Sequence, residues 1–262
     1  MSHIRYDVDD EGIATVTIDR PEKRNAMTWG VLAEFHEAIW RASDDPAARV
    51  VIVTGAGGAF CAGTDLTSLA DTPTDQRSGQ GQAVDPRHGD HWSLVGCPKP
   101  VIAAVDGAAV GMGVEIATQC DVRIASDRAR FGWVFVHRGL VPDMGCGGFL
   151  LPRIVGATES LRLQLSGEIV DAAEALRIGF VSQVVAPDDL LEVARTEARR
   201  YLAGSPFAIA RVKRLLYDAM GGDVAAHRDR TGAALRECFK SEDHQEGVAS
   251  FLERRPARFT GR

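Results

Sequence analysis

Glu115 stands inside the stretch AAVGMGVEIATQCD, residues 108–121, in which small and apolar side chains predominate. An ionised carboxylate among apolar neighbours is costly unless another group pairs with it or a reaction uses it. Gly111 and Gly113 precede it, and glycine at such a point lets the backbone approach a ligand closely. The pattern predicts a tight turn followed by a helix that carries a carboxylate in its first turn.

A second stretch, AFCAGTDL at residues 59–66, has the same design. Each stretch follows a short apolar segment of the kind that forms a buried strand, and each places glycine at a turn. Two backbone N–H groups that converge from two strand ends would form an oxyanion hole, beside which Glu115 would act. The alternative that spacing alone leaves open is a tight turn with Glu115 as a favourable N-terminal helix charge.

Composition excludes several classes of protein. The chain has 262 residues, of which 45% are hydrophobic and 25% charged, as in ordinary globular proteins. A net charge of −6 speaks against nucleic-acid binding. Five scattered cysteines without a CxxC pair indicate reduced thiols and a cytoplasmic location. The polar start MSHIRYDVDDEG is unlike a signal peptide, and the apolar runs are too short to span a membrane.

The order of patterns predicts the fold class. HIRYDVDDEGIATVTID predicts two strands around a turn, and TWGVLAEFHEAIWRASDD predicts an amphipathic helix with Thr28 as N-cap. ARVVIVTG, KPVIAAVDG and CDVRIAS predict further strands. After about residue 155, helical patterns dominate, with GFVSQVV as one strand among them. We therefore expect an α/β core followed by a helical C-terminal part.

Two other kinds of site find little support. His88 and His91 are spaced like metal ligands, but no cysteine or carboxylate pattern accompanies them. We interpret them as solvated histidines in a long loop at residues 67–92, and we predict no metal site. GAGGAF at residues 55–60 lacks the spacing of a phosphate loop, and no GxSxG motif supports a serine nucleophile.

Several stretches resemble the successive signatures of the crotonase (enoyl-CoA hydratase/isomerase) superfamily. They are RPEKRNAM (20–27), GAFCAGTDL (58–66), AAVDGAAVGMGVEIATQCDVRIAS (103–126), RGLVPDMGCGGFLLPRIVG (138–156) and SEDHQEGVASFLERRPARF (241–259). They occur in family order over nearly the whole chain. Together they are highly specific to the superfamily, and much less specific to one reaction within it.

The resemblance implies a crotonase-like spiral of ββα units in residues 1–200, which holds an acyl-CoA site. It implies a helical region in residues 201–262 that forms homotrimers, often paired as hexamers, and completes the CoA site. The substrate it implies is an acyl-CoA thioester, so coenzyme A arrives as part of the substrate and no separate cofactor is expected. The expected enzyme uses neither nucleic acid nor membrane as a partner.

Residue by residue, the resemblance implies two groups of binding positions. The oxyanion-hole donors fall on the backbone N–H groups of Thr64 and Met112. The positions that match CoA-binding residues are Arg24, Ala62, Asp65, Leu66, Phe251 and Arg254. The last two match residues that a neighbouring subunit lends to the site. For the two arginines, the alternative is a solvated surface cation.

The reaction itself stays open, because the expected pair of glutamates is incomplete. Glu115 matches the first of the two glutamates of family hydratases, but the position of the second is Phe135. A phenyl ring cannot transfer a proton. Asp143 matches the position where several family isomerases place a single acid/base, although it is equally a candidate helix N-cap. A carboxylate in this apolar setting is expected to have a raised pKa, which suits a proton shuttle.

Two more side chains are candidates for the acyl pocket or its packing. His137 is a possible third polar group, although a lone histidine near a strand end is more often structural. Together with Phe135 it would line the acyl pocket. Cys146 is interpreted as a small packing residue.

The sequence thus favours hydration of a 2-enoyl-CoA through a thioester enolate, with Glu115 and Asp143 as catalytic residues. The first alternative is isomerisation of a 3-enoyl-CoA to a 2-enoyl-CoA by Asp143 acting alone. The second is a CoA-binding homologue that has lost catalysis.

Overall fold

The structure is a computed structural model, and it describes residues 2–71, 92–142 and 144–262. The strands are β1 (Ile4–Val8), β2 (Ile13–Ile18), β3 (Val50–Gly55), β4 (Val101–Val105), β5 (Ala108–Val110), β6 (Val122–Ser126), β7 (Arg130–Gly132), β8 (Ile169–Asp171) and β9 (Gln183–Val185). The helices that precede residue 180 are α1 (Trp29–Asp44), α2 (Leu66–Asp71), α3 (Ser93–Gly96), α4 (Met112–Gln119), α5 (Cys146–Phe149), α6 (Leu151–Val155), α7 (Ala157–Ser166) and α8 (Ala172–Arg177).

The later helices are α9 (Leu190–Leu202), α10 (Pro206–Ala219), α11 (Val224–Lys240) and α12 (Glu242–Glu253). Short 3-10 turns lie at Pro21–Lys23, Val134–Arg138 and Pro187–Asp189. In the described ranges, no helix is long and apolar enough to cross a membrane. His88 and His91, and most of the loop predicted at residues 67–92, lie outside the described residues.

Two sheets organise the described strands. The larger has the order β1-β2-β3-β4-β6-β9, in which β1 and β2 pair antiparallel and the other neighbours pair parallel. The smaller has the order β5-β7-β8. The register of β3 against β4 places Val51 beside Val101 and Thr54 beside Ala104. The carboxyl ends of these two parallel strands therefore meet at one edge, from which both glycine-containing stretches start.

The apolar run of β3 is explained by burial on both faces. Val51 and Val53 belong to the core cluster that also contains Phe35 of α1. Val50 and Ile52 belong to a second cluster, which contains Leu190, Ala194 and Ala198 of α9. Successive side chains of a strand point to opposite faces, so a strand between two helical layers needs apolar residues at every position.

Several predictions of local structure are confirmed. The first two predicted strands form the β1–β2 hairpin, and the three apolar runs form β3, β4 and β6. Thr28 caps α1, because its side chain accepts a hydrogen bond from the N–H of Val31. The α/β core is followed by helices, as expected. The predicted C-terminal region from residue 201 starts inside α9, and its first complete helix is α10.

Lys213 anchors α10 to the sheet. Lys213 is 8% exposed, and its Nζ donates to Asp121 Oδ2 at 2.8 Å. Nζ also donates to the carbonyls of Leu94 and Lys99, at 2.9 and 3.0 Å. Asp121 in turn accepts from the hydroxyl of Tyr217, and burial raises the pKa of that hydroxyl above its usual value. One buried ammonium thus satisfies three oxygens on the sheet side of the interface.

Lys213→Met is expected to lower the free energy of unfolding by about 3 kcal/mol, because it leaves a half-buried carboxylate without its cation. Chemical denaturation of the purified protein measures the change. Lys240→Met is the matched control, since Lys240 is exposed at the end of α11. Equal stability of the two variants would show that the Lys213 network does not hold α10 in place.

Candidate active site

The turn at residues 61–64 is held between two neighbouring segments. The Cys61 N–H donates to the carbonyl of Ala108, and the Val110 N–H donates to the carbonyl of Cys61. On the other side, the Met27 N–H donates to Gly63 O, and the Asp65 N–H donates to Met27 O. These bonds extend the pairing of β5 and fix the turn against the chain that enters α4.

Glycines allow this turn to touch the start of α4. Gly63 has a φ of +96°, and a Cβ built on it would lie 2.7 Å from Val110 O and 3.6 Å from Met112 N. A Cβ on Gly113 would lie 2.1 Å from Cys61 O. Gly111 is the N-cap residue of α4, with a φ of +56°. Side chains at these positions would push the two segments apart.

The backbone amides of Thr64 and Met112 belong to the two segments that the glycines allow to touch. Thr64 pairs with Met27, but the two hydrogen bonds of this pairing use Gly63 O and the Asp65 N–H. The N–H of Thr64 itself is not used. Met112 is the first residue of α4, where an N–H has no partner within the helix. Throughout the described ranges, neither amide donates a hydrogen bond.

Glu115 lies one helical turn after Met112, and its side chain is 0% exposed. Its Oε2 accepts a hydrogen bond from the N–H of Gly147 at 3.1 Å and one from the Cys146 thiol at 3.0 Å. Both donors lie at the start of α5, which packs on α4. The burial that the sequence predicted as costly is therefore offset by donors from another element.

Gly147 provides the space that Glu115 occupies. A Cβ built on Gly147 would lie 2.5 Å from Glu115 Oε1 and 3.2 Å from Pro142 Cβ. The side chain of Gln164 donates to the Gly147 carbonyl at 3.1 Å, so this backbone is also held from the far side. Sequence reasoning missed Gly147, although a Gly-Gly pair after Cys146 is visible in the motif.

Gly147→Ala is expected to lower the turnover number about a hundredfold, because the new methyl group must displace the carboxylate or the backbone that binds it. Steady-state kinetics with the acyl-CoA substrate that the resemblance implies measure the effect. Gly148→Ala is a close control, since a Cβ there meets no atom within 4 Å. The interpretation fails if both alanine variants keep the activity of the unmodified enzyme.

Comparison with known proteins identifies the family. A sequence profile described as "Enoyl-CoA hydratase/isomerase" matches residues 9–262. The chain belongs to the enoyl-CoA hydratase/isomerase family. This membership confirms the predicted crotonase superfamily and the predicted class of enzyme.

The relatives span the full length of the chain. A probable enoyl-CoA hydratase of Rhodobacter capsulatus is 36% identical over 259 residues, with 99% of this chain and 98% of that protein covered. A 1,2-epoxyphenylacetyl-CoA isomerase of Escherichia coli is 33% identical over 263 residues, covering 100% and 98%. The structure of an enoyl-CoA hydratase from Bacillus anthracis matches with a TM-score of 0.89 at 28% identity, covering 99% and 100%. The crotonase fold predicted from the motifs is confirmed.

The position at which the resemblance predicts a second glutamate is occupied by Phe135. Phe135 lies in the 3-10 turn Val134–Arg138 and is 6% exposed within the main core cluster. Asp143, the predicted substitute, lies outside the described residues. The helix that follows, α5, begins at Cys146 and has Gly145 at its N-cap position.

His137 occupies a surface position. Its side chain is exposed and lies against Gly167. A Cβ built on Gly167 would be 2.9 Å from His137 Nε2. Glu115, by contrast, is fully buried. The structure therefore places the imidazole over the end of α7 and does not bring it into contact with the carboxylate. Its assignment to the acyl pocket stays a prediction.

Arg24 and Ala62, two predicted CoA-binding residues, are joined by a backbone hydrogen bond. The Ala62 N–H donates to Arg24 O at 3.0 Å, and the Arg24 side chain is exposed. Asn25 organises this edge, because its buried Nδ2 donates to the carbonyls of Ala56 and Ala59 at 2.8 and 2.6 Å. Sequence reasoning did not single out Asn25, although it stands inside the quoted RPEKRNAM motif.

The side chain of Asp65 has partners within the protein. Its Oδ1 accepts from Thr67 and Ser68 at the start of α2, and its Oδ2 accepts from Arg20 at 2.8 Å. The Thr67 hydroxyl and the Arg20 guanidinium hold the pKa of this carboxyl at about 2. Its side chain therefore orders the loop, while the adjacent Leu66 is 55% exposed and open to a ligand.

Phe251 and Arg254 lie together at the end of α12. The Phe251 side chain is 82% exposed, and Arg254 is exposed at the C-cap, where its N–H donates to Phe251 O. Their contribution to a neighbouring subunit's CoA site stays a prediction.

Proposed function

We propose that the protein is an enoyl-CoA hydratase-type lyase, which adds water to a 2-enoyl-CoA through a thioester enolate. The observation that carries the proposal is the position of Glu115, buried one turn beyond an unused N–H at the start of α4. Support comes from the relative in Rhodobacter capsulatus, whose name is probable enoyl-CoA hydratase.

The proposed mechanism uses Thr64 and Met112 as the oxyanion hole. Their two N–H groups would donate to the thioester oxygen, where negative charge develops as the enolate forms. Glu115 would take a proton from water as it attacks the β-carbon. The glycines at 63 and 111 would let the thioester approach the backbone. Protonation of the α-carbon then needs a second acid, for which Asp143 is our candidate.

Isomerisation of a 3-enoyl-CoA is the second candidate, and the buried Phe135 favours it. A phenyl ring cannot supply the second acid of a hydratase, whereas moving a double bond needs one group that shuttles a proton. Asp143 would be that group. The 1,2-epoxyphenylacetyl-CoA isomerase among the relatives shows that the family also includes isomerases.

Spectroscopy of the conjugated thioester separates these two reactions. The enzyme is incubated with crotonyl-CoA and with longer 2-enoyl-CoAs, and loss of the conjugated absorbance reports hydration. Incubation with a 3-enoyl-CoA reports isomerisation through a gain of the same absorbance. We expect hydration of at least one 2-enoyl-CoA. Turnover of the 3-enoyl-CoA with no hydration at any chain length would replace the first proposal by the second, and no turnover of either would favour a CoA-binding homologue.

The proposed CoA site takes Arg24, Ala62, Asp65 and Leu66 from one subunit, and Phe251 and Arg254 from a neighbour in a homotrimer or a hexamer. Support comes from α10, α11 and α12, whose exposed apolar side chains are Val212, Leu216, Val224, Leu235, Phe239, Val248, Phe251 and Leu252. Light scattering is expected to give three or six copies of the 28.2 kDa chain. A monomer that turns over acyl-CoA would contradict this assembly.

A further inference from the structure

Cys146 is placed to act on Glu115 rather than simply to fill space. Its thiol is 0% exposed, and Sγ lies 3.0 Å from Glu115 Oε2. It also lies 3.2 Å from the backbone carbonyl of the same residue. A thiol carries one proton and can donate it fully to one of these two oxygens. A carboxylate is the stronger acceptor, because bonds to charged groups are shorter and stronger than bonds between neutral groups.

Hydrogen bonds fix the backbone next to Cys146, and this backbone holds the thiol close to the carboxylate. The Gly147 N–H donates to the same Oε2 at 3.1 Å. The Leu150 N–H donates to the Cys146 carbonyl at 2.6 Å, and Gln164 donates to that of Gly147. Two donors from consecutive residues therefore converge on one oxygen of Glu115, and α7 supports the backbone that carries them.

Three elements make the main packing contacts with the helix that carries Glu115. The elements packed on α4 are β5, α3 and α5. In these three elements, all of which the structure describes, Cys146 is the titratable residue. These three elements supply no cation to Glu115, and the two hydrogen bonds from α5 favour its ionised form.

We propose that Cys146 is a positioning residue for Glu115. Its thiol donates to Oε2, which fixes the plane of the carboxylate and favours its ionised form. The consequence for catalysis rests on the proposed function, in which Glu115 must be ionised to accept a proton from water. The hydrogen bond itself does not depend on that function, and it can be tested in the protein without substrate.

The first experiment is infrared spectroscopy of the S–H stretch in the protein without ligand. This stretch falls in a region that the amide bands leave empty, and a strong acceptor moves it to lower frequency. The difference between the unmodified protein and Cys146→Ala isolates the Cys146 band. The same difference, measured in a Glu115→Gln background, is expected to lie at higher frequency, because an amide is a weaker acceptor than a carboxylate. An identical band in both backgrounds would assign the thiol to the backbone carbonyl and overturn the proposal.

The second experiment compares kinetics of Cys146→Ala, Cys146→Ser and the control Cys120→Ala. Cys120 is a buried thiol at the end of the same helix, and its Sγ bonds to Ile116 O at 3.5 Å. We expect Cys146→Ala to lose about tenfold in turnover number and to shift the acidic limb of its pH profile upward, because the ionised carboxylate has lost a donor. Cys146→Ser should restore most of the turnover number and most of the original pH profile. The control Cys120→Ala should change neither the turnover number nor the pH profile.

The outcomes separate the two claims. A shifted S–H band with no turnover by the unmodified enzyme would support the hydrogen bond and sink the proposed function. An unchanged pH profile in both Cys146 variants, with full activity on an enoyl-CoA, would overturn the positioning role and leave the function standing.

Discussion

Glu115→Gln is expected to reduce the turnover number for hydration of a 2-enoyl-CoA about a thousandfold, with little change in affinity for the substrate. The amide keeps the shape of the side chain but cannot take a proton from water, and general acid–base catalysis commonly contributes factors of this size. Steady-state kinetics and equilibrium binding of a non-reactive acyl-CoA together measure the two quantities.

Glu197→Gln is the matched control for that variant. Glu197 is also a buried glutamate, 9% exposed, but it lies on α9, where it bonds to Arg200 and Tyr201. Its loss should leave turnover unchanged. If Glu115→Gln kept activity within tenfold of the unmodified enzyme, the side chain would be a structural helix charge, and the proton transfer would have to be assigned elsewhere.

Gly63→Ala is expected to lower kcat/KM about a hundredfold through loss of the oxyanion hole. The new Cβ would lie 2.7 Å from Val110 O, which is backbone and cannot rotate away. The φ of +96° adds strain for any residue with a side chain. Relief of the clash and of the backbone strain would move Thr64 away from Met112. One thioester oxygen could then no longer accept hydrogen bonds from both amides.

A second glycine separates this effect from simple backbone strain. Gly179 also has a positive φ, +77°, but a Cβ there meets nothing within 4 Å. Gly179→Ala should destabilise the protein modestly and leave kcat/KM unchanged. The oxyanion-hole assignment would be contradicted if both alanine variants lost stability but neither lost activity.

Local sequence signals predicted the elements that carry the site, because those signals act over a few residues. The apolar runs of β3 and β4, the Thr28 cap and the glycines before α4 each follow from near neighbours along the chain. The motifs then placed Thr64 and Met112 in one site. Within the described residues, neither amide donates a hydrogen bond, and their role as an oxyanion hole stays a prediction.

The partners of Glu115 could not be predicted in the same way. Cys146 and Gly147 reach it across the packing of α5 on α4, and the hydrophobic pattern of a short helix does not specify which residue it meets. Cys146 was therefore interpreted as packing. Asn25 escaped notice for a related reason, since its two acceptors lie in a separate loop at residues 56–59.

The choice between hydratase and isomerase depends on one replaced residue. Phe135 stands where the resemblance predicts a second glutamate, and it is 6% exposed in the core. The groups that face the substrate carbons beside Phe135 decide whether the enzyme adds water or only moves a proton. Kinetics report these groups only indirectly. A structure with a bound ligand measures their distances to the substrate carbons.

The most direct test of the central claim is therefore a crystal structure of the enzyme with a bound 3-ketoacyl-CoA, which cannot be hydrated. We expect its thioester oxygen about 3 Å from both Thr64 N and Met112 N, the geometry of a working oxyanion hole. The Glu115 carboxylate should face the β-carbon. A thioester that binds away from these amides, or a β-carbon that Glu115 does not face, would contradict the account.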